Sequence, residues 1–177
     1  MKKVLAIAGI LALIFTPRIS FSDHLEPRES EIKVRGNLHH ANLRNAYLSN
    51  ANLSGVILSA TDLSDADLSG TDLSGAVLVL AILRNAYLIN ANLSYTNLSN
   101  ADLSGANLSG ANLSNAYLSG VNLSGADLSD VNMNGISTIV VSGCPSSLPN
   151  GWACEKNTLI NISIFNWGSV STLDLYV

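Results

Sequence analysis

A repeat of five residues runs through the middle of the chain and restricts what it can form. Twenty consecutive units, without an insertion, occupy residues 36–135 of the 177 residues. The central position is Leu in nineteen units and Met133 in the last, and the position two before it is Ala in thirteen. Five residues of an α-helix turn through roughly 500°, so the leucines would not line one face. On a straight strand an odd period sends successive leucines to opposite faces, so neither regular element fits.

A short extended segment that bends after each unit does fit the repeat. The small residue and the Leu are two apart, so they point the same way while the residue between them points outward. The unit ends mostly in Gly or Asn, which tolerate the positive φ of a tight bend. A chain that bends at every unit closes into stacked coils, which predicts a β-solenoid filled by these residues: Leu38, Leu43, Leu48, Leu53, Leu58, Leu63, Leu68, Leu73, Leu78, Leu83, Leu88, Leu93, Leu98, Leu103, Leu108, Leu113, Leu118, Leu123, Leu128 and Met133. Spacing alone leaves the number of units per coil open.

The A(N/D)LSG pattern of residues 36–135 resembles the pentapeptide-repeat family. The resemblance implies an all-β fold, a right-handed quadrilateral parallel β-helix with four units per coil. Twenty units then make about five coils and a rod about 24 Å long at the usual strand spacing. Most members of the family have no defined activity, so the resemblance assigns no substrate.

The first 22 residues have the features of a secretory signal peptide. Lys2 and Lys3 precede the uncharged apolar run 4–15, and small residues flank a cleavage point before Asp23. An uncleaved anchor and a buried strand are the alternatives. Cleavage predicts a periplasmic or secreted protein with no stable membrane span. Residues 23–35 are predicted to form an N-terminal cap of the solenoid, because Ile32 and Val34 alternate with charged residues as in an edge strand.

Residues 136–177 lose the period of five and are predicted to form a small C-terminal cap or extension. Residues 136–141 and 158–165 are typical of strands, and Pro145, Pro149 and Asn150-Gly151 indicate a turn between them. Cys144 and Cys154 lie in that turn, ten residues apart, and in a secreted protein they most simply form a disulfide.

The residues indicate no catalytic, metal or cofactor site. Ser recurs as the outer residue of the repeat, and no Ser, His and Asp set stands out. His39-His40 is too small a cluster to predict metal binding. Asp62, Asp65, Asp67 and Asp72 are denser than the other carboxylates, but outward Asp is common in this repeat. We therefore expect a protein that is not an enzyme and needs no cofactor.

Apolar residues interrupt the polar positions of the repeat in the third coil and its neighbour, and we predict an interaction surface there. If a coil has twenty residues, Ile57 lies directly below Val77, and Tyr47 and Tyr87 share another side. The alternative is that residues 136–177 fold back and cover these side chains. The candidate interface residues are Ile57, Val77, Val79, Leu80, Ile82, Ile89 and Tyr87.

Two functions follow from these features. The first is a non-enzymatic structural or protein-interaction scaffold of the bacterial envelope or exterior, which binds an unknown protein or another copy of itself. The second comes from the family, in which some acidic members imitate duplex DNA and protect type II topoisomerases. Residues 36–135 carry seven Asp and only two Arg, Arg44 and Arg84. The chain has no basic stripe, so we expect no binding to nucleic acid.

Overall fold

A computed structural model describes residues 37–136 and 139–162. The predicted signal peptide, residues 1–22, and the predicted N-terminal cap, residues 23–35, lie outside the described residues. So does the end of the predicted C-terminal extension, from residue 163 onward.

The repeat winds into coils of twenty residues. Parallel bridges join each outward residue to the one twenty positions later, for example Asn37 to Ile57 and Ile57 to Val77. Four five-residue units therefore make one coil, and backbone hydrogen bonds join successive coils, such as that from the Leu38 amide to the Ile57 carbonyl at 2.8 Å. The solenoid is a stack of very short parallel strands.

A tight turn follows every unit. The amide of Ala41 donates a hydrogen bond of 2.9 Å to the carbonyl of Leu38, and the same bond recurs along the array. The third residue of each such turn has a positive φ, as a type II turn requires. Gly and Asn were the residues expected there, but Ala60, Leu80 and Tyr95 also adopt it, with φ of 52°, 60° and 59°. The position in the coil, rather than the residue type, determines the backbone conformation.

The core of the solenoid consists of the central residue of every unit and the small residue two before it. All twenty central residues are buried, and Leu83 near the middle is 0% exposed. Thr61 and Thr71 replace Ala at the second inward position, and their hydroxyls donate to the carbonyls of Leu38 and Leu48 at 2.7 and 2.8 Å. The narrow bore therefore accepts Thr because its hydroxyl bonds the neighbouring coil.

The outward Asn and Asp side chains support the turns. The Oδ1 of Asn52 accepts a hydrogen bond from the amide of Ser54 at 3.2 Å, and the same bond recurs in most other units. This local bond satisfies an amide that the ladder between coils leaves unpaired. The polar position before each Leu is therefore part of the fold.

The C-terminal segment forms a three-stranded antiparallel sheet. Its strands are β1, Ile139–Val140, β2, Trp152–Glu155, and β3, Thr158–Asn161, in the order β1-β3-β2. The predicted turn was expected to contain both cysteines, and this was wrong for Cys154, which lies in strand β2. A two-residue hairpin with positive φ at Lys156 and Asn157 pairs β2 with β3. Strand β1 is shorter than predicted.

This segment continues the solenoid at its C-terminal end. The amides of Gly120 and Gly125 donate to the carbonyls of Val140 and Cys144 at 3.2 and 3.1 Å, and Ser147 bridges Asp127 twenty residues before it. A disulfide joins Cys144 to Cys154. The backbone groups that the last coil would leave unpaired are thus partly satisfied.

Candidate interaction surface

The twenty-residue coil gives the solenoid four faces. Residues that differ by twenty lie on the same face, because the bridges join them. We number the faces by their buried leucines: face 1 begins at Leu38, face 2 at Leu43, face 3 at Leu48 and face 4 at Leu53. Each face includes the corner residue that ends its units.

Face 1 collects most of the apolar residues that interrupt the repeat. Ile57 and Val77 are bridged neighbours on this face, and Val79 and Leu80 follow in the same unit as Val77. The exposed fraction is 41% for Ile57 and 58% for Leu80. Tyr117 is also exposed on face 1, two coils beyond Val77, with Asn97 between them. Ile57, Val77, Val79 and Leu80 therefore form an apolar strip over two successive coils, which Asn97 separates from Tyr117.

Face 1 also carries no formal charge in the array. Its units contain no Asp, Glu, Lys or Arg, whereas each of the other faces contains at least one Asp. The charged residues of the array are Arg44, Asp62, Asp65, Arg84 and Asp102 on face 2, Asp67, Asp127 and Asp130 on face 3, and Asp72 on face 4. Uncharged and apolar surface thus coincide on one side of the rod.

Face 2 is held by ion pairs. Arg44 contacts Asp65 at 3.1 Å and Asp62 at 3.8 Å, and Arg84 pairs with Asp102. Burial raises the pKa of Asp102, but hydrogen bonds from Arg84 and Ser104 outweigh it and leave that pKa below its usual value. Ile82, a candidate interface residue, lies on this face between Asp62 and Asp102. It therefore adjoins the face 1 strip across a corner.

Tyr87 and Ile89 lie on face 3, away from the apolar strip. Tyr87 is bridged to Asp67, which is bridged to Tyr47. A surface cleft of about 380 Å³ is lined by Asn45, Tyr47, Asp65, Asp67, Ser69 and Tyr87. Of the seven candidate interface residues, four therefore lie on face 1, Ile82 lies beside them on face 2, and Tyr87 and Ile89 lie on face 3.

The comparisons with known proteins identify the repeat. A family model for pentapeptide repeats matches residues 37–75, 66–105, 81–120 and 96–135, which together span more than half of the chain. The chain belongs to the pentapeptide-repeat family. This confirms the resemblance drawn from the A(N/D)LSG pattern, and the family's fold is the right-handed quadrilateral β-helix.

Solved pentapeptide-repeat proteins share the architecture. A pentapeptide-repeat protein from the Arabidopsis thaliana thylakoid lumen is 31% identical, with a TM-score of 0.53 over 54% of this chain and 66% of that one, just under two thirds of its length. The protein Rfr23 from the cyanobacterium Cyanothece 51142 is 39% identical, with a TM-score of 0.50 over 59% and 68%. A search of curated proteins finds no match.

The fold does not bring the dense carboxylates or the histidine pair of the array together into a binding site. Asp62 and Asp65 lie on face 2, Asp67 on face 3 and Asp72 on face 4, so the dense carboxylates are spread around the coil. The ring centroids of His39 and His40 are 3.9 Å apart. Within residues 37–136 and 139–162, no group of three His, Cys, Asp or Glu side chains could hold a metal ion.

The position of the C-terminal segment bears on whether the apolar strip is covered. Residues 139–162 stack on the last coil, so this part of the chain does not fold back over Ile57 and Leu80. The covering alternative is therefore wrong for residues 139–162, and its remainder, residues 163–177, lies outside the described residues. No helix in the described part of the chain has the length and apolar character to cross a membrane.

Proposed function

We propose that this pentapeptide-repeat protein is a non-enzymatic interaction scaffold of the bacterial envelope or exterior. In this proposal the solenoid has about five coils, residues 139–162 cap its C-terminal end, and face 1 binds a protein partner. The rigid stack of coils holds Ile57, Val77, Val79 and Leu80 in a fixed arrangement, with Ile82 across the corner. A partner that presents a matching apolar surface would bind without rearranging the rod.

The observation that carries the proposal is the coincidence of exposed apolar residues with the one uncharged face. Ile57 and Val77 occupy positions where most units place Asn or Asp, and they give up the side-chain oxygen that accepts an amide hydrogen bond. Leu80 occupies a corner with positive φ, which is unfavourable for a bulky residue. These substitutions weaken local structure, so their presence together is better explained by binding than by folding.

Two features support a compartment outside the cytoplasm. Residues 1–22 have the pattern of a secretory signal, and the Cys144–Cys154 disulfide is stable in an oxidising environment. A similar pentapeptide-repeat protein comes from the thylakoid lumen, which is itself outside the stromal compartment.

The native size of the protein in extracts of cells that express it tests the scaffold proposal. The variant Ile57→Asn/Val77→Asn/Leu80→Asn places on face 1 the residue that other units of the array carry at these positions. We expect the parent to elute in a complex larger than the monomer and the variant to elute as the monomer. A matched control, Tyr95→Asn at the equivalent exposed corner of face 4, should keep the complex. An unchanged complex in the triple variant would contradict the role of face 1.

Protection of a type II topoisomerase is the second candidate, and the charge distribution disfavours it. A DNA mimic needs negative charge along the rod, but face 1 has none and both arginines neutralise carboxylates on face 2. That function also requires the protein to reach the cytoplasm. A supercoiling assay with purified gyrase and fluoroquinolone would reveal protection if this second candidate is correct.

A further inference from the structure

We propose that the cleft on face 3 binds a positively charged side chain, an arginine or lysine of a protein partner, between Tyr47 and Tyr87 and above Asp67. This inference rests on the proposed function, in that it assumes a protein partner. It concerns a different face of the rod from the apolar strip and a different kind of contact.

The three residues form a column across successive coils. Tyr47 is bridged to Asp67, and Asp67 is bridged to Tyr87, so the carboxylate lies at the level between the two tyrosines. Neighbouring strands are about 4.8 Å apart, which places the two tyrosine backbones about 10 Å from each other. All three side chains line the same cleft of about 380 Å³.

This spacing suits a cation. A group held at the level of Asp67 lies one coil, about 5 Å, from the level of each tyrosine, inside the roughly 6 Å over which a cation is attracted to an aromatic ring. A guanidinium is flat and fits a gap of this width, and its N–H groups can donate to a carboxylate. The exposed fractions of Tyr47 and Tyr87, 49% and 53%, leave ring surface available to a ligand.

The charge in the cleft favours a cation as well. In the part of the chain that the structure describes, Arg44 pairs with Asp62 and Asp65 and Arg84 pairs with Asp102, so neither arginine neutralises Asp67. The Oδ1 of Asp67 accepts the amide of Ser69 at 3.1 Å, which fixes the carboxylate in position. Asp65 also lines the cleft, but its carboxylate already pairs with Arg44, so Asp67 supplies the negative charge of the site.

The fold itself does not require the tyrosines. Most units carry Asn or Asp at this position, and that side chain accepts a hydrogen bond from the amide two residues later, as Asn107 does for Ser109. Tyr47 and Tyr87 replace this acceptor with a ring on both sides of one aspartate. The column Tyr-Asp-Tyr occurs on face 3 alone among the four faces of the array.

Titration of the isotope-labelled protein with N-acetyl-arginine-N-methylamide, followed by NMR, tests the inference. We expect saturable shifts of the backbone amides of Tyr47, Asp67 and Tyr87. The uncharged citrulline analogue has nearly the same shape, and we expect it to bind at least tenfold more weakly. Equal affinity for citrulline, or shifts centred on another face, would overturn the proposal.

Two variants and two matched controls separate binding from folding. Asp67→Asn and Tyr87→Asn introduce a residue that the repeat already carries at this position, so both should fold, and each should weaken arginine binding at least fivefold. Asp72→Asn on face 4 and Tyr117→Asn on face 1 change the same residue types at the same repeat position elsewhere. These controls should bind as the parent does, and an equal loss in them would contradict the site.

The titration and the native-size experiment fail independently. The titration uses an isolated cation and reports on face 3, whereas the native-size experiment uses variants of face 1. Arginine binding without a partner complex would overturn the scaffold proposal and leave the cation site intact. A partner complex without arginine binding would overturn the cation site and leave the scaffold proposal intact.

Discussion

The side-chain amide of Asn92 donates a hydrogen bond of 3.1 Å to the carboxylate of Asp72, twenty residues earlier in the chain. Asn112 donates in turn to Asn92 at 3.4 Å, and Asn132 to Asn112 at 3.0 Å. Face 4 therefore carries a ladder of side chains that runs parallel to the backbone ladder. Asn92 and Asn112 each donate to the coil before and accept from the coil after.

Replacing Asn92 by Asp should destabilise this ladder at neutral pH. The substitution removes the donor to Asp72 and places two carboxylates one coil apart, which we expect to lower the free energy of unfolding by about 1 kcal/mol. The loss should shrink as the pH falls and the two carboxylates share a proton. Thermal unfolding at pH 7 and at lower pH measures both effects. Asn97→Asp, between Val77 and Tyr117, is the control, and its stability should vary with pH as that of the parent does, because neither bridged neighbour is a carboxylate.

Acid should weaken the solenoid through three aspartates whose pKa values are lowered. Burial raises the pKa of Asp62 and of Asp102, but hydrogen bonds and arginine charges outweigh it, and bonds from Ser147 and Ser129 lower the pKa of Asp127. Each stabilises the fold fully above its ordinary pKa of 3.8, and this contribution is lost as the pH falls through the lowered value. Urea unfolding across this range should show a falling midpoint. A midpoint that rises on acidification would contradict the assignment.

The corner at Leu80 should be stabilised by a residue that tolerates positive φ. Leu80 has a φ of 60° and is 58% exposed, so Leu80→Asn relieves backbone strain and loses little buried surface. We expect a gain of about 1 kcal/mol in the free energy of unfolding. The reciprocal change, Asn100→Leu, occupies the same corner one coil later and should lose a similar amount. Chemical unfolding measures both variants. A change in the free energy of unfolding that has the same sign in the two variants would contradict the explanation.

A charge in the bore should prevent folding. Leu83 is 0% exposed, so Leu83→Asp would bury an unpaired carboxylate, and we expect no folded protein. Leu83→Ala should fold with a loss of about 3 kcal/mol, because it leaves a cavity between coils. Ser119→Asp on the exposed outer surface should change stability little. Circular dichroism and thermal unfolding distinguish these results, and a Leu83→Asp protein that melts like the parent would mean that Leu83 does not point inward.

Most of the solenoid follows from the period of five. The inward direction of Leu83 and its counterparts depends only on the alternation within a unit and on a bend after it. The length of a coil did not follow from the spacing and came from the family resemblance. The left-handed conformation of Leu80 and Tyr95 was not predicted, because residue preference pointed to Gly and Asn while the geometry of the coil decides the corner.

The candidate site shows a second limit of sequence reasoning. Tyr87 and Ile89 lie close to Val77 and Val79 in the sequence, yet the coil turns two corners between them and places them on face 3. Reading every twentieth residue separates the two surfaces and brings Tyr47, Asp67 and Tyr87 into one column. Strand β2 was missed because Lys156-Asn157 is an uncommon pair for a two-residue hairpin, and only its pairing with β3 reveals it.

Cell fractionation combined with the intact mass of the recovered protein tests the proposed function most directly. An extracytoplasmic scaffold should appear in the periplasm or the medium, begin near Asp23, and be lighter than its reduced form by the two hydrogens of the Cys144–Cys154 disulfide. An uncleaved cytoplasmic protein with free thiols would contradict that proposal and favour the topoisomerase-protecting function.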